Sequence, residues 1–124
     1  MKNIFLGYDL FGESVYWNNL DNFSSVFIGG LSGTGKTYLS HKILQIFYHQ
    51  QFKTYVISKK VYVDFKQDYI NRIQPHTEKD KLTIFISEIN TVLEKTKTEV
   101  EKSQFSHIKH LKNQPKIFIL IDEL

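Results

Sequence analysis

The sequence predicts an α/β fold, a parallel sheet flanked by helices, from three observations. Gly30-Leu31-Ser32-Gly33-Thr34-Gly35-Lys36-Thr37 is a complete G-x-x-x-x-G-K-[ST] loop between a short apolar run, Val26-Phe27-Ile28, and a segment with helical spacing. Thr54-Tyr55-Val56-Ile57 is a second run rich in β-formers. Near the end of the sequence, Lys116-Ile117-Phe118-Ile119-Leu120-Ile121-Asp122-Glu123-Leu124 holds five consecutive apolar residues after Pro115 and then two adjacent carboxylates. An apolar run bounded in this way suits a parallel strand covered on both faces.

In chain order, residues Ile4 to Trp17 alternate apolar groups with turn signals at Gly7 and Phe11-Gly12-Glu13-Ser14, which predicts a small β-hairpin over residues 1–22. Tyr16 and Trp17 are expected to pack against the sheet, with stacking on an adenine as the alternative. Val26-Phe27-Ile28 is expected as a buried strand. From Thr37 to Gln51, Leu39, Ile43, Ile46 and Phe47 recur at helical spacing and predict one apolar face. His41 and His49 fall in this helix without cysteine or carboxylate partners at metal spacing, so they read as solvated or packed. Thr54 to Ile57 predicts the next strand, and Ser58-Lys59-Lys60 a loop at its C-terminal end, where open α/β sheets collect ligands. The polar stretch from Asn71 to Asp80 contains Pro75 and is expected as a connection. Leu82, Ile86, Ile89, Leu93 and Val100 fit a helix, although Thr83 to Ile86 alone suits a strand. The charged residues from Glu94 to Lys102 read as its solvated face. No internal repeat or second domain is evident, so residues 1–124 are expected to form one domain, with 1–22 as its lead-in and 23–124 carrying both nucleotide motifs.

Bulk properties narrow the classes. The 124 residues are 41% hydrophobic, enough for a core of ordinary size. There is no cysteine, which removes disulfides and thiolate metal sites and fits a reducing compartment. No apolar run approaches the roughly 18 residues of a membrane span, and no signal-peptide core follows Met1-Lys2-Asn3, so the default expectation is cytoplasmic. The net charge of +3, from 16 basic and 13 acidic residues, is compatible with nucleic acid without arguing for it. Arg72 is the only arginine.

The chemistry rests on the two motifs. In a loop of this kind the backbone N–H groups of Gly30, Leu31, Ser32, Gly33, Thr34, Gly35, Lys36 and Thr37 surround a polyphosphate, which also meets the positive end of the following helix. Lys36 reaches the β and γ oxygens, and the Thr37 hydroxyl sits on Mg²⁺. The pattern predicts nucleoside triphosphate binding, with ATP and Mg²⁺ as cofactors. At the end of the apolar run, Asp122 is placed to hold Mg²⁺ through water, and Glu123 to orient and deprotonate an attacking water. Adjacent carboxylates divided in this way imply hydrolysis.

With these residues placed, the chain resembles the FtsK/SpoIIIE family of DNA-pumping ATPases, in the FtsK and HerA group of P-loop motors. Leu6-Gly7-Tyr8-Asp9, Gly12-Glu13-Ser14-Val15 and Asn19-Leu20 are similar to the family's "LGxD…GxpV…DL" lead-in. Ile28-Gly29-Gly30 with Ser32 to Thr37 is similar to its "GxTGSGKS", and Phe118 to Leu124 to its Walker B "vvvIDEl". Ile57-Ser58-Lys59-Lys60 falls where many members carry "IDPK", with Lys60 matching the lysine and Ser58 in place of the aspartate. The resemblance implies a RecA/ASCE-like P-loop fold and ATP-driven translocation of double-stranded DNA by a homo-hexameric ring. It covers about half of the family's motor domain, so the strand bearing the next motif is expected after Leu124 and the fold is expected to be incomplete. Family members insert an arginine into the neighbouring nucleotide site; Arg72 has no motif match for that role, and the finger is expected outside this chain.

Two other readings keep the loop. A small-molecule or nucleotide kinase needs no water-activating glutamate, against which Asp122-Glu123 argues. A GTPase would carry an N-K-x-D signature, which is absent. The last alternative is a truncated, non-catalytic remnant that binds nucleotide weakly or does not fold.

Overall fold

The computed structural model describes residues 3–18, 25–31, 33–102 and 116–124. These residues divide into two compact units, Met1–Gln50 and Gln51–Leu124. The fold is α/β, with a small antiparallel hairpin in the first unit and a parallel three-stranded sheet with helices in the second.

In the first unit, β1 (Asn3–Tyr8) and β2 (Ser14–Asn18) form the expected hairpin, with Ile4 opposite Trp17 and Phe5 opposite Tyr16. A register shift between Phe5 and Gly7 bulges β1. Helix α1 (Lys36–His49) buries Ser40, Ile43, Leu44 and Phe47 on one face. Leu44, which lies outside the 4-3-4 spacing of the expected face, is fully buried, whereas Leu39 and Ile46 lie at its half-buried margin. Trp17 meets Phe47 edge-on, with ring centroids 6.2 Å apart, so it packs on α1 and not on a sheet. Lys42 Nζ lies 4.9 Å from the Phe5 ring centre, a second link between hairpin and helix.

The second unit contains β3 (Lys53–Ser58), the short helix α2 (Val61–Asp64), β4 (Ile70–Ile73), α3 (Lys79–Lys102) and β5 (Ile117–Asp122). The strand order is β4-β3-β5 and both pairings are parallel. Central β3 is buried from Thr54 to Ser58, as its run of β-branched and aromatic residues requires. Tyr55, Ile57, Ile73 and Phe85 form the core between sheet and α3, joined by Leu82, Ile89 and Ile117. The Tyr55 and Phe85 rings lie 4.5 Å apart. Phe65, just after α2, is fully buried.

Four further expectations are corrected. Val26-Phe27-Ile28 forms no strand, and Val26 and Phe27 are exposed. A strand persists only where its backbone groups find a ladder, and among the described residues none pairs with this run. The segment from Asn71 is not wholly a connection, since Ile70 to Ile73 is strand β4. Its polar residues hide it in the sequence because their side chains bond to backbone. Asn71 Nδ2 donates to Thr54 O at 2.9 Å, and Arg72 donates to Phe65 O at 3.3 Å and Gln67 O at 2.9 Å.

The third correction concerns α3. Its inward face runs through Leu82, Phe85, Ile89 and Val92, while Ile86 and Leu93 are exposed. Phe85 takes the inward place against Tyr55 and sets the rotation of the helix. The fourth concerns β5, which is parallel as expected but not covered on both faces. By register, Ile119 and Ile121 share a sheet face with Tyr55 and Ile57, yet they are 37% and 59% exposed. The core under α3 reaches Ile117 and stops there. Asn19, Leu20 and Pro115 lie outside the described residues.

Candidate functional site

The glycine loop is built by backbone conformation. Gly33 and Gly35 have φ of +79° and +97°, the left-handed region where a side chain is strained. Gly30 is held by space instead: a Cβ there would lie 2.8 Å from Thr34 Oγ1. The Thr34 hydroxyl and N–H both donate to Leu31 O, at 2.5 Å and 3.3 Å, and close the loop on itself. Helix α1 starts at Lys36, and its N-cap, Gly35, offers no side-chain acceptor to the first-turn N–H groups. Those donors remain available to an anion.

Lys36 bends back so that its ammonium donates to Gly30 O, and Thr37 is exposed in the first turn of α1. The described loop residues Gly30, Leu31, Gly33, Thr34, Gly35, Lys36 and Thr37 lie together in this turn, while Ser32 lies outside the described residues. These features fit a polyphosphate: a cradle that a Cβ at Gly30 would fill, uncapped amides and one cation.

In the second unit the carboxylates sit at the C-terminal edge of the parallel sheet. Asp122 is the last residue of β5 and is half-buried, level with Ser58 of β3. Glu123 has φ +43°, a conformation that costs a residue with a Cβ about 1–2 kcal/mol. The Lys59 N–H donates to Glu123 O at 3.0 Å and holds that turn. Lys60 Nζ lies 3.5 Å from Glu123 Oε2, with both side chains about half exposed. Fully buried Ser58 accepts the Lys60 N–H on Oγ at 3.1 Å, and Gln74 Nε2 donates to Lys59 O at 3.3 Å. The turn after β3 is therefore fastened to Glu123 through both backbone and side chain.

Sequence reasoning placed Lys59 and Lys60 in a loop at this sheet edge but missed the Lys60–Glu123 pair. Its only signal was that both residues follow parallel strands. Lys36 and Thr37 belong to the first unit and Asp122 and Glu123 to the second. Among the described residues, no three histidine, cysteine or acidic side chains converge as a metal site.

Arg72 has a structural part. Besides its two backbone carbonyls, its guanidinium lies 5.9 Å from the Tyr62 ring centre. Tyr62 donates to Glu78 Oε1 at 2.6 Å, the Gln74 N–H donates to the same oxygen at 2.9 Å, and Lys81 Nζ lies 3.5 Å from Oε2. The Tyr62 hydroxyl, more than any other neighbour, holds the Glu78 carboxyl below its ordinary value of 4.5. The Glu78 carboxylate in turn holds the Tyr62 phenol above 10.0, aided by burial. A depressed carboxyl contributes stability above its unfolded value and loses it as pH falls through the folded one. A raised phenol contributes below its unfolded value and loses it as pH rises through the folded one. The pair is at full strength between those limits. Tyr62→Phe is expected to lower urea stability by roughly 0.5–1 kcal/mol at neutral pH, a half-exposed bond being discounted for solvent. The difference from wild type should shrink as pH falls below 4.5 and through the lowered Glu78 carboxyl. A difference that stayed constant as acid protonated that carboxyl would show that the Glu78 contact does not carry it.

No helix among the described residues is long and apolar enough to cross a membrane. Neither a protein-family model, nor a curated protein, nor a solved structure matches this chain.

Proposed function

We propose that the protein binds and hydrolyses ATP on a RecA/ASCE-like P-loop fold and works as a DNA-translocating motor of the FtsK/SpoIIIE type, in a homo-hexameric ring. The observation that carries the reading is the loop from Gly30 to Thr37. Its left-handed glycines, the close approach at Gly30 and the uncapped start of α1 support phosphate binding. In this reading the N–H groups of Gly33, Thr34, Gly35 and Lys36 bind phosphate oxygens, and Lys36 leaves Gly30 O for the β and γ oxygens. Thr37 and Asp122 would hold Mg²⁺, which would supply charge neutralisation at those oxygens. Glu123 orients a water and accepts its proton, and Lys60 competes with that water for Oε2. The Lys59-Lys60 turn at the sheet edge faces the DNA side of the motor.

ATP turnover by the full-length protein, measured with and without duplex DNA, tests the whole reading. Turnover should rise several-fold on adding duplex. Hydrolysis indifferent to DNA would leave an ATPase without the motor, and nucleotide binding without hydrolysis would favour the remnant.

A further inference from the structure

At the C-terminal edge of the parallel sheet one chain of hydrogen bonds crosses all three strand ends. Ile73 of β4 is level with Ile57 of β3, and Ser58 of β3 is level with Asp122 of β5. Gln74, the Ser58-Lys59-Lys60 turn and Glu123 therefore follow one another across that edge. Glu123 and Gln51 are the two non-glycine residues with positive φ among those described. A backbone held in the left-handed region persists where its surroundings over-determine it. At Glu123 the turn after β3 does this, since the Lys59 N–H donates to Glu123 O at 3.0 Å.

What fixes Lys59 lies on the far side of the turn. The peptide unit that joins Lys59 to Lys60 is held at both ends. Its N–H donates to Oγ of fully buried Ser58 at 3.1 Å, and its carbonyl, Lys59 O, accepts from Gln74 Nε2 at 3.3 Å. The orientation of the Gln74 amide is dictated by its other end. Oε1 accepts the His76 N–H at 2.5 Å and the Thr77 N–H at 3.0 Å, so exchanging its oxygen and nitrogen would set donor against donor.

Gln74 is itself anchored at the entry to α3. Its N–H donates to Glu78 Oε1 at 2.9 Å, and its carbonyl accepts the Glu78 N–H at 2.9 Å. The two ends of its side chain thus do separate work. The oxygen shapes the turn into α3, which any acceptor of the same length would do, whereas the nitrogen reaches across to the neighbouring strand's turn and serves nothing in α3.

We propose that Gln74 is a positioning residue for Glu123, acting through the Lys59–Lys60 peptide to aim the Glu123 carboxylate at the attacking water. The inference rests on the reading of Glu123 as the group that orients and deprotonates that water. To that reading it adds the part of the chain that sets the carboxylate's place. Because Gln74 is assigned no contact with nucleotide, its effect belongs to kcat and not to KM. A reacting group misplaced by about 1 Å can cost as much as a hundredfold in rate. The loss of one neutral hydrogen bond two links away should cost about threefold to tenfold.

Gln74→Glu and Ser58→Ala in the full-length protein test the proposal from the two ends of that peptide. Gln74→Glu keeps an acceptor for His76 and Thr77 and removes the donor to Lys59 O; Ser58→Ala removes the acceptor of the Lys60 N–H. Each should lower kcat for ATP by about threefold to tenfold, with KM within about twofold of wild type and the Mg-ATP thermal shift intact. Amide hydrogen exchange at Lys59, whose N–H is held on Glu123 O, should accelerate about tenfold in both. An unchanged kcat beside an active wild type would overturn the positioning role. So would a loss shared equally with KM, or Lys59 exchange that keeps its wild-type rate. Failure of the underlying reading, which would take this proposal with it, looks different: Glu123→Gln would then hydrolyse ATP as fast as wild type, whatever Gln74→Glu does.

Discussion

Lys36→Ala is expected to abolish the rise in melting temperature that Mg-ATP produces in the wild-type protein. A ligand at one hundred times its Kd adds about 2.7 kcal/mol to the native state, which for a chain of this length raises Tm by about 10 °C. The variant should show about a tenth of that or less. The loss is interpretable because the substitution leaves the fold's supports in place. The Lys36 ammonium bonds only to the loop's own Gly30 carbonyl among its described contacts, and alanine suits the first turn of α1. The left-handed conformations at Gly33 and Gly35 do not depend on that side chain. A full rise in the variant would place the nucleotide away from the loop.

Glu123→Gln is expected to separate binding from turnover. Glutamine keeps the length and shape of the side chain but accepts no proton at neutral pH, so ATP hydrolysis should fall by about 10²–10⁴-fold. The Mg-ATP thermal shift should survive, since the phosphate-binding groups are untouched. Loss of the exposed ion pair with Lys60 should change stability by less than about 1 kcal/mol. Hydrolysis that persisted within a few-fold of wild type would remove Glu123 from the reaction. A thermal shift lost together with hydrolysis would instead assign it to nucleotide binding.

The hairpin, α1, β3, α3 and β5 were legible because each carries its own local signal: turn residues at fixed places, apolar groups at helical spacing, or an apolar run. The glycine loop was legible for the same reason. Gly33 and Gly35 take backbone angles that other residues resist, and Gly30 stands where a Cβ would strike Thr34, so the chain spells out the loop's shape residue by residue. Strand β4 was not legible. Asn71 and Arg72 look like loop residues until their side chains are seen bonding to the carbonyls of Thr54, Phe65 and Gln67. The opposite error arose at Val26-Phe27-Ile28, where β-forming residues lack a strand to pair with among those described.

By itself the sequence determined the hairpin, α1, β3, α3 and β5 as extended or helical segments, the form of the phosphate loop and the placing of Asp122 and Glu123 as neighbours. These depend on backbone sterics and on periodicities that close within one or two turns of chain. The tertiary structure decided the rest. Phe85 against Tyr55 sets which face of α3 turns inward and leaves Ile86 and Leu93 outside. The parallel pairing of β3 with β5 brings Lys60 to Glu123 across a long stretch of sequence. Such outcomes depend on which surfaces meet and how a helix rotates to bury its largest group, and no local pattern encodes that choice.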